Sequence, residues 1–140
     1  METNLVEAIE GARTLAEVQG ITAEMGDTIA ALAEAELEEG RPEIARAILE
    51  GLVVTNHLDA GAWSLLSRAH RRLERPLAAR FCAEVAVRLA PSDGFARLAR
   101  AESLLATAAD RAEGRAELAR LAGDPRVGGR ATALLAALGG

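Results

Sequence analysis

Cys82, His57 and His70 are the only thiol and imidazoles in this chain. A catalytic thiol needs a base beside it, and a catalytic imidazole needs a carboxylate to orient it. Neither histidine has an acid spaced to face it, and one cysteine with two separated histidines matches no zinc spacing. His70 therefore reads as a packed or surface side chain, and Cys82 as a small buried residue. The run Glu34-Ala35-Glu36-Leu37-Glu38-Glu39 concentrates carboxylates, but on a helical pattern without the glycine turn of a calcium loop. All 16 basic residues are arginines. Without lysine there is no Schiff-base chemistry and no phosphate-binding Walker lysine. Gly128-Gly129 and Gly139-Gly140 match no phosphate loop. The expectation is a protein without catalytic residues, metal or cofactor, one that works by binding.

Composition narrows the kind of binding. Half of the 140 residues are hydrophobic, but alanine dominates them and aromatics make up only 2%. Such a chain suits helices packed closely in thin layers rather than a thick core. Trp63, Phe81 and Phe95 are the aromatics available as anchors. Arg68, Arg71 and Arg72 form a small basic patch, yet the formal net charge is -5 and no aromatics interleave. That balance argues against nucleic acid. No segment approaches the roughly 18 apolar residues of a membrane span. The start, Met1-Glu2-Thr3-Asn4, lacks the basic opening of a signal peptide. A cytoplasmic protein is expected, and the arginine-only usage fits a GC-rich bacterial genome. Residues 1–60 hold 13 acids and 3 arginines, and residues 61–140 hold 8 acids and 13 arginines. That asymmetry can orient a partner or a second copy of the chain.

The elements that carry these residues repeat. At a shift of 34, Arg41-Pro42 falls on Arg75-Pro76, Ala45-Arg46 on Ala79-Arg80, Leu32 on Leu66, Ile29 on Trp63, and Pro91 on Pro125. This period is that of tetratricopeptide repeats, each a pair of antiparallel helices. The sequence therefore predicts an all-α superhelix with helices near 4–19, 26–39, 43–56, 60–73, 77–90, 94–107, 111–122 and 126–138. The parts are a leader helix in 1–25, repeats at 26–59, 60–93 and 94–125, and a capping helix in 126–140. Prolines 42 and 76 stand at helix starts, and Asp59 and Asp93 are N-cap candidates. The third unit departs from the pattern, with Arg97 at the large apolar position and Glu113 at the first small one. The stretch Ala23 to Asp27, with Gly26, reads as a hinge between leader and stack.

First helices of such repeats line a concave side. Beginning with Asp27 and Gly61 at the helix starts, the inward positions predicted here are Ala30, Glu34, Leu37, Ser64, Arg68, Arg71, Phe95, Leu98, Glu102 and Leu105. The groove they form would be acidic at one end, basic in the middle and apolar at the other. Phe95, Leu98 and Leu105 would anchor an extended peptide.

Two short strings add a narrower resemblance. Thr55-Asn56-His57-Leu58-Asp59 and Arg100-Ala101-Glu102-Ser103-Leu104-Leu105 resemble segments of the class II translocator chaperones of type III secretion. The order of leader helix, three repeats and short final helix is also similar. The resemblance covers about residues 20–122. It implies a cytoplasmic chaperone that holds the unfolded N-terminal segment of a translocator in its groove. It also implies a homodimer formed through the leader face of Leu5, Ile9 and Ala12. That family's groove is rich in aromatics, and this one is not. The other reading of the same scaffold is a general tetratricopeptide adaptor linking proteins, with no export role.

Overall fold

Thr22 opens the first described helix: its hydroxyl oxygen accepts the Met25 N–H at 3.1 Å, and α1 runs Ala23–Glu38. The computed structural model describes Gly20 and residues 22–139. The predicted leader helix and its Leu5, Ile9 and Ala12 face lie outside the described residues. The expected hinge at Ala23 to Asp27 is instead the opening of α1. One interior glycine costs a helix only ~1 kcal/mol relative to alanine, which the Thr22 cap offsets.

The remaining helices are α2 Pro42–Thr55, α3 Ala60–Arg72, α4 Pro76–Leu89, α5 Gly94–Leu104, α6 Arg111–Leu121 and α7 Gly128–Ala137. Their ends follow from local chemistry. Pro42 and Pro76 occupy the first turns of α2 and α4, where a missing N–H costs nothing. Asp59 and Asp93 accept the N–H groups of Ala62 and Ala96 at 3.0 and 3.2 Å, capping α3 and α5. Asp124 does the same in the turn before α7, accepting from Arg126 and Val127. Those backbone bonds hold its carboxyl below the usual aspartate range. Gly40 leaves α1 at φ 79, and its repeat equivalent Glu74 leaves α3 at φ 59.

α1 pairs with α2, α3 with α4, and α5 with α6. The first helices of successive pairs also pack side by side, α1 on α3 and α3 on α5, whereas the second helices make no comparable contact. The layer of first helices is thus the tighter, inner one, which makes it concave. Small residues at the repeat spacing allow this approach: Ala33, Ser67 and Ala101 are fully buried, as are Ala45 and Ala79. The buried Ser67 hydroxyl is satisfied by donating to the Ala79 carbonyl at 2.8 Å. Leu37, Leu49, Leu104, Leu118 and Leu121 fill the space between. Leu66 is buried, but its repeat equivalent Leu32 is 59% exposed.

The third pair keeps the pattern with a register change. A turn of 3₁₀ helix, Ala108–Asp110, precedes α6, which starts 35 residues after α4. The small position therefore belongs to Gly114, not Glu113. A Cβ on Gly114 would fall 2.9 Å from Leu105 Cδ2 and 3.1 Å from the Ala101 carbonyl. Glu113 turns outward and pairs with Arg100 at 3.1 Å. Arg97, at the position of Trp63, meets buried Glu117 at 2.7 Å, so an ion pair replaces an aromatic contact.

α7 then packs on α6. Its Ala131 is buried, and Leu134, Leu135 and Leu138 close over a cluster that also holds Leu98 and Leu105.

Candidate binding groove

Cross-helix ion pairs line the concave layer. Glu34 of α1 faces Arg68 of α3 at 3.7 Å. Arg71, one turn further along α3, pairs with Glu102 of α5, and Arg130 of α7 reaches the same carboxylate at 3.4 Å. The expected gradient from acidic to basic to apolar is therefore broken up at Glu34, Arg68, Arg71 and Glu102, each of which is answered by a charge on a neighbouring helix. Pairs as exposed as Glu34–Arg68 contribute ~0–1 kcal/mol. Glu102 differs, because its side chain is only 7% exposed. A carboxylate so far from water depends on its partners.

The predicted groove residues divide accordingly. Glu34 is exposed, Arg68 and Arg71 are half-buried, and Ala30 packs against the edge of the core. Ser64 is buried beneath them, its hydroxyl without a hydrogen-bond partner. Leu37 is not a groove residue: it is fully buried with Ala33, which lies four residues earlier on the same helix face. Leu98 and Leu105 are not open anchors, because α7 takes the place of the next first helix and covers them in part. Phe95 stays half-exposed, but the Arg126 guanidinium lies 4.5 Å from its ring centroid. Sequence reasoning missed Arg130. Placing the capping helix as a further first helix would have brought it to the row.

At this end of the row a cleft of about 460 Å³ opens between the α3–α4 turn, α5 and α7. Arg71, Glu74, Arg75, Glu102, Leu105 and Leu134 are among its lining residues.

The residues that could do chemistry are elsewhere. Burial pushes the Cys82 thiol up to about 11, so it stays protonated at neutral pH. His70 is partly buried, and loss of solvation lowers its pKa below 6.5. His57 lends only its backbone carbonyl, which accepts the Trp63 indole N–H at 2.9 Å. Trp63 in turn meets Phe81 edge to face, with centroids 6.2 Å apart. Among the described residues no histidine, cysteine or carboxylate cluster is arranged to hold a metal ion. No described helix is long and apolar enough to cross a membrane.

The described helices form a tetratricopeptide-like superhelix, and solved structures share this fold. The chain is similar to the Yersinia enterocolitica type III secretion translocator chaperone SycD, with 19% identity and a TM-score of 0.75 over 89% of this chain and 98% of that one. SycD in complex with a peptide of the translocator YopD matches with 20% identity and a TM-score of 0.66, over 84% and 94%. A type III secretion complex from Aeromonas hydrophila matches with 17% identity and a TM-score of 0.77, over 96% and 94%. No family model matches the chain, and no curated protein does. At these identities the likeness is one of fold.

Proposed function

We propose that this protein is a type III secretion chaperone that holds an extended segment of a translocator in its concave groove. The observation that carries the reading is the layer of first helices α1, α3 and α5, in which α1 and α3 present Ala30, Glu34, Arg68 and Arg71 along one inner face. Its fold is that of SycD, whose structure with a YopD peptide has been solved. Sequestering a segment rich in apolar residues prevents its aggregation or premature insertion in a membrane. The protein works by binding in the cytoplasm, without turnover. The leader face of Leu5, Ile9 and Ala12 pairs with a second copy in this reading.

Co-expression tests the proposal. A translocator encoded beside this protein should move from the insoluble to the soluble fraction and co-purify with it. Insolubility of every such translocator, with no co-purification, rejects the reading.

A further inference from the structure

We propose that the N-terminal segment of this chain, through Gly11, Leu15 and Val18, docks on the face of α1 formed by Thr28, Leu32 and Ala35. The inference is independent of what the concave groove holds. Thr28, Leu32 and Ala35 share one side of α1, and all three are exposed. Their equivalents at a shift of 34 are Ala62, Leu66 and Ala69 of α3, each no more than 3% exposed. Those three belong to one buried cluster with Ala45, Leu49 and Leu52 of α2, the second helix that precedes α3. Ala96 and Ser103 of α5 repeat the two small positions and are buried as well, where α4 packs on α5. The α1 face thus has the make-up of one that a preceding second helix covers: a leucine between two small residues that let backbones approach. Thr28 makes no polar demand on the occupant, because its hydroxyl donates to the Glu24 carbonyl at 3.0 Å.

The chain carries a segment that fits. Gly11, Leu15 and Val18 stand 34 residues before Ala45, Leu49 and Leu52, so the small position and the two large ones recur in order. α2 and α4 are each 14 residues long and reach the next helix through residues 56–59 and 90–93. Residues 1–19 suffice for such a helix, and they lead directly to the Thr22 cap where α1 begins. Gly20 takes φ 77, close to the φ 79 with which Gly40 leaves α1, and glycine in that conformation is the common end of a helix. Leu5, Ile9 and Ala12 fall on a neighbouring face of the same helix and stay open to a second copy. One helix held by a few side chains is released before the stack unfolds. Leu32→Ala therefore acts on docking and hardly on global stability.

Thiol chemistry on the full chain, in a Cys82→Ala background, tests this. A short bis-maleimide should bridge Leu15→Cys to Leu32→Cys within one chain, giving a compact monomer on a denaturing gel. Ile9→Cys, on the neighbouring face, should bridge to Leu32→Cys far less. In a second measurement, adding Leu15→Glu and Val18→Glu should speed alkylation of Leu32→Cys about threefold, as expected when a shallow local contact is lost. The same pair should leave alkylation of Leu77→Cys unchanged. A bridge between two chains overturns the proposal, because a second copy then covers α1. Absence of any bridge, or equal bridging from positions 9 and 15, overturns it too, as does an alkylation rate that the two glutamates leave unchanged. The chaperone reading stands or falls separately on co-expression.

Discussion

Arg71 and Glu102, 31 residues apart in sequence, form an ion pair that joins the first helix of the second repeat to that of the third. Arg130 extends the contact to the capping helix. One buried carboxylate thus ties three elements of the inner layer together. Removing it leaves two guanidiniums facing each other, one of them in a partly dry site. Glu102→Ala should destabilise the protein by about 1–3 kcal/mol, below the full cost of a buried pair because both arginines keep some water. Urea denaturation measures it. A double-mutant cycle with Arg71→Ala should show positive coupling, and independent effects would mean that the pair carries no energy.

The two leucines at either side of α1 should respond very differently. Leu37 is fully buried between α1, α2 and α3, whereas Leu32 is 59% exposed. Leu37→Ala should cost about 2–5 kcal/mol, and Leu32→Ala within about 0.5 kcal/mol. Similar losses at both positions, read by the same denaturation, would contradict the placement of Leu37 in the core.

The inter-helix turns offer a stabilising change. Gly40 and Glu74 both leave their helices with positive φ, 79 and 59. Glycine takes that conformation freely, and a side chain does not. Glu74→Gly should raise stability by about 0.5–1 kcal/mol, and Gly40→Ala should lower it by about 1 kcal/mol. A thermal melt distinguishes the two signs.

His70 should make stability depend on pH. Loss of solvation lowers its folded pKa below 6.5, and the charges of Arg75 and Arg46 add to this against Glu50 and Glu43. The unfolded chain then binds a proton more readily than the folded one. This contribution is fully present above 6.5 and is lost as pH falls through the lower, folded value. His70→Asn should flatten the stability profile in that window. An unchanged slope in the variant would assign the pH dependence to other groups.

Much of this fold was legible in the sequence because its determinants are local and periodic. Pro42, Pro76, Asp59 and Asp93 mark helix starts by their own backbone chemistry, and Ala45 and Ala79 recur where the helices must approach. Three features were not legible. Thr22 starts α1 before Gly26, because a cap outweighs one glycine. The longer turn before α6 moves the small position from Glu113 to Gly114, a shift visible only once α5 and α6 are packed. On the first helices, side-chain direction decides which of the expected groove residues are exposed. Leu37 turns to the core, α7 covers Leu98 and Leu105, and Arg130 arrives from a helix read only as a cap.

The central claim, that the concave layer holds the client, is tested most directly by capture of a co-expressed translocator with two variants. Arg68→Glu places a second acid opposite Glu34 on the inner face. Leu77→Arg changes an 85% exposed residue of α4, on the outer layer. Wild type and Leu77→Arg should bring down the translocator equally, and Arg68→Glu should bring down much less at unchanged helicity. Loss of capture with Leu77→Arg and full capture with Arg68→Glu would contradict the account and move the site to the outer face.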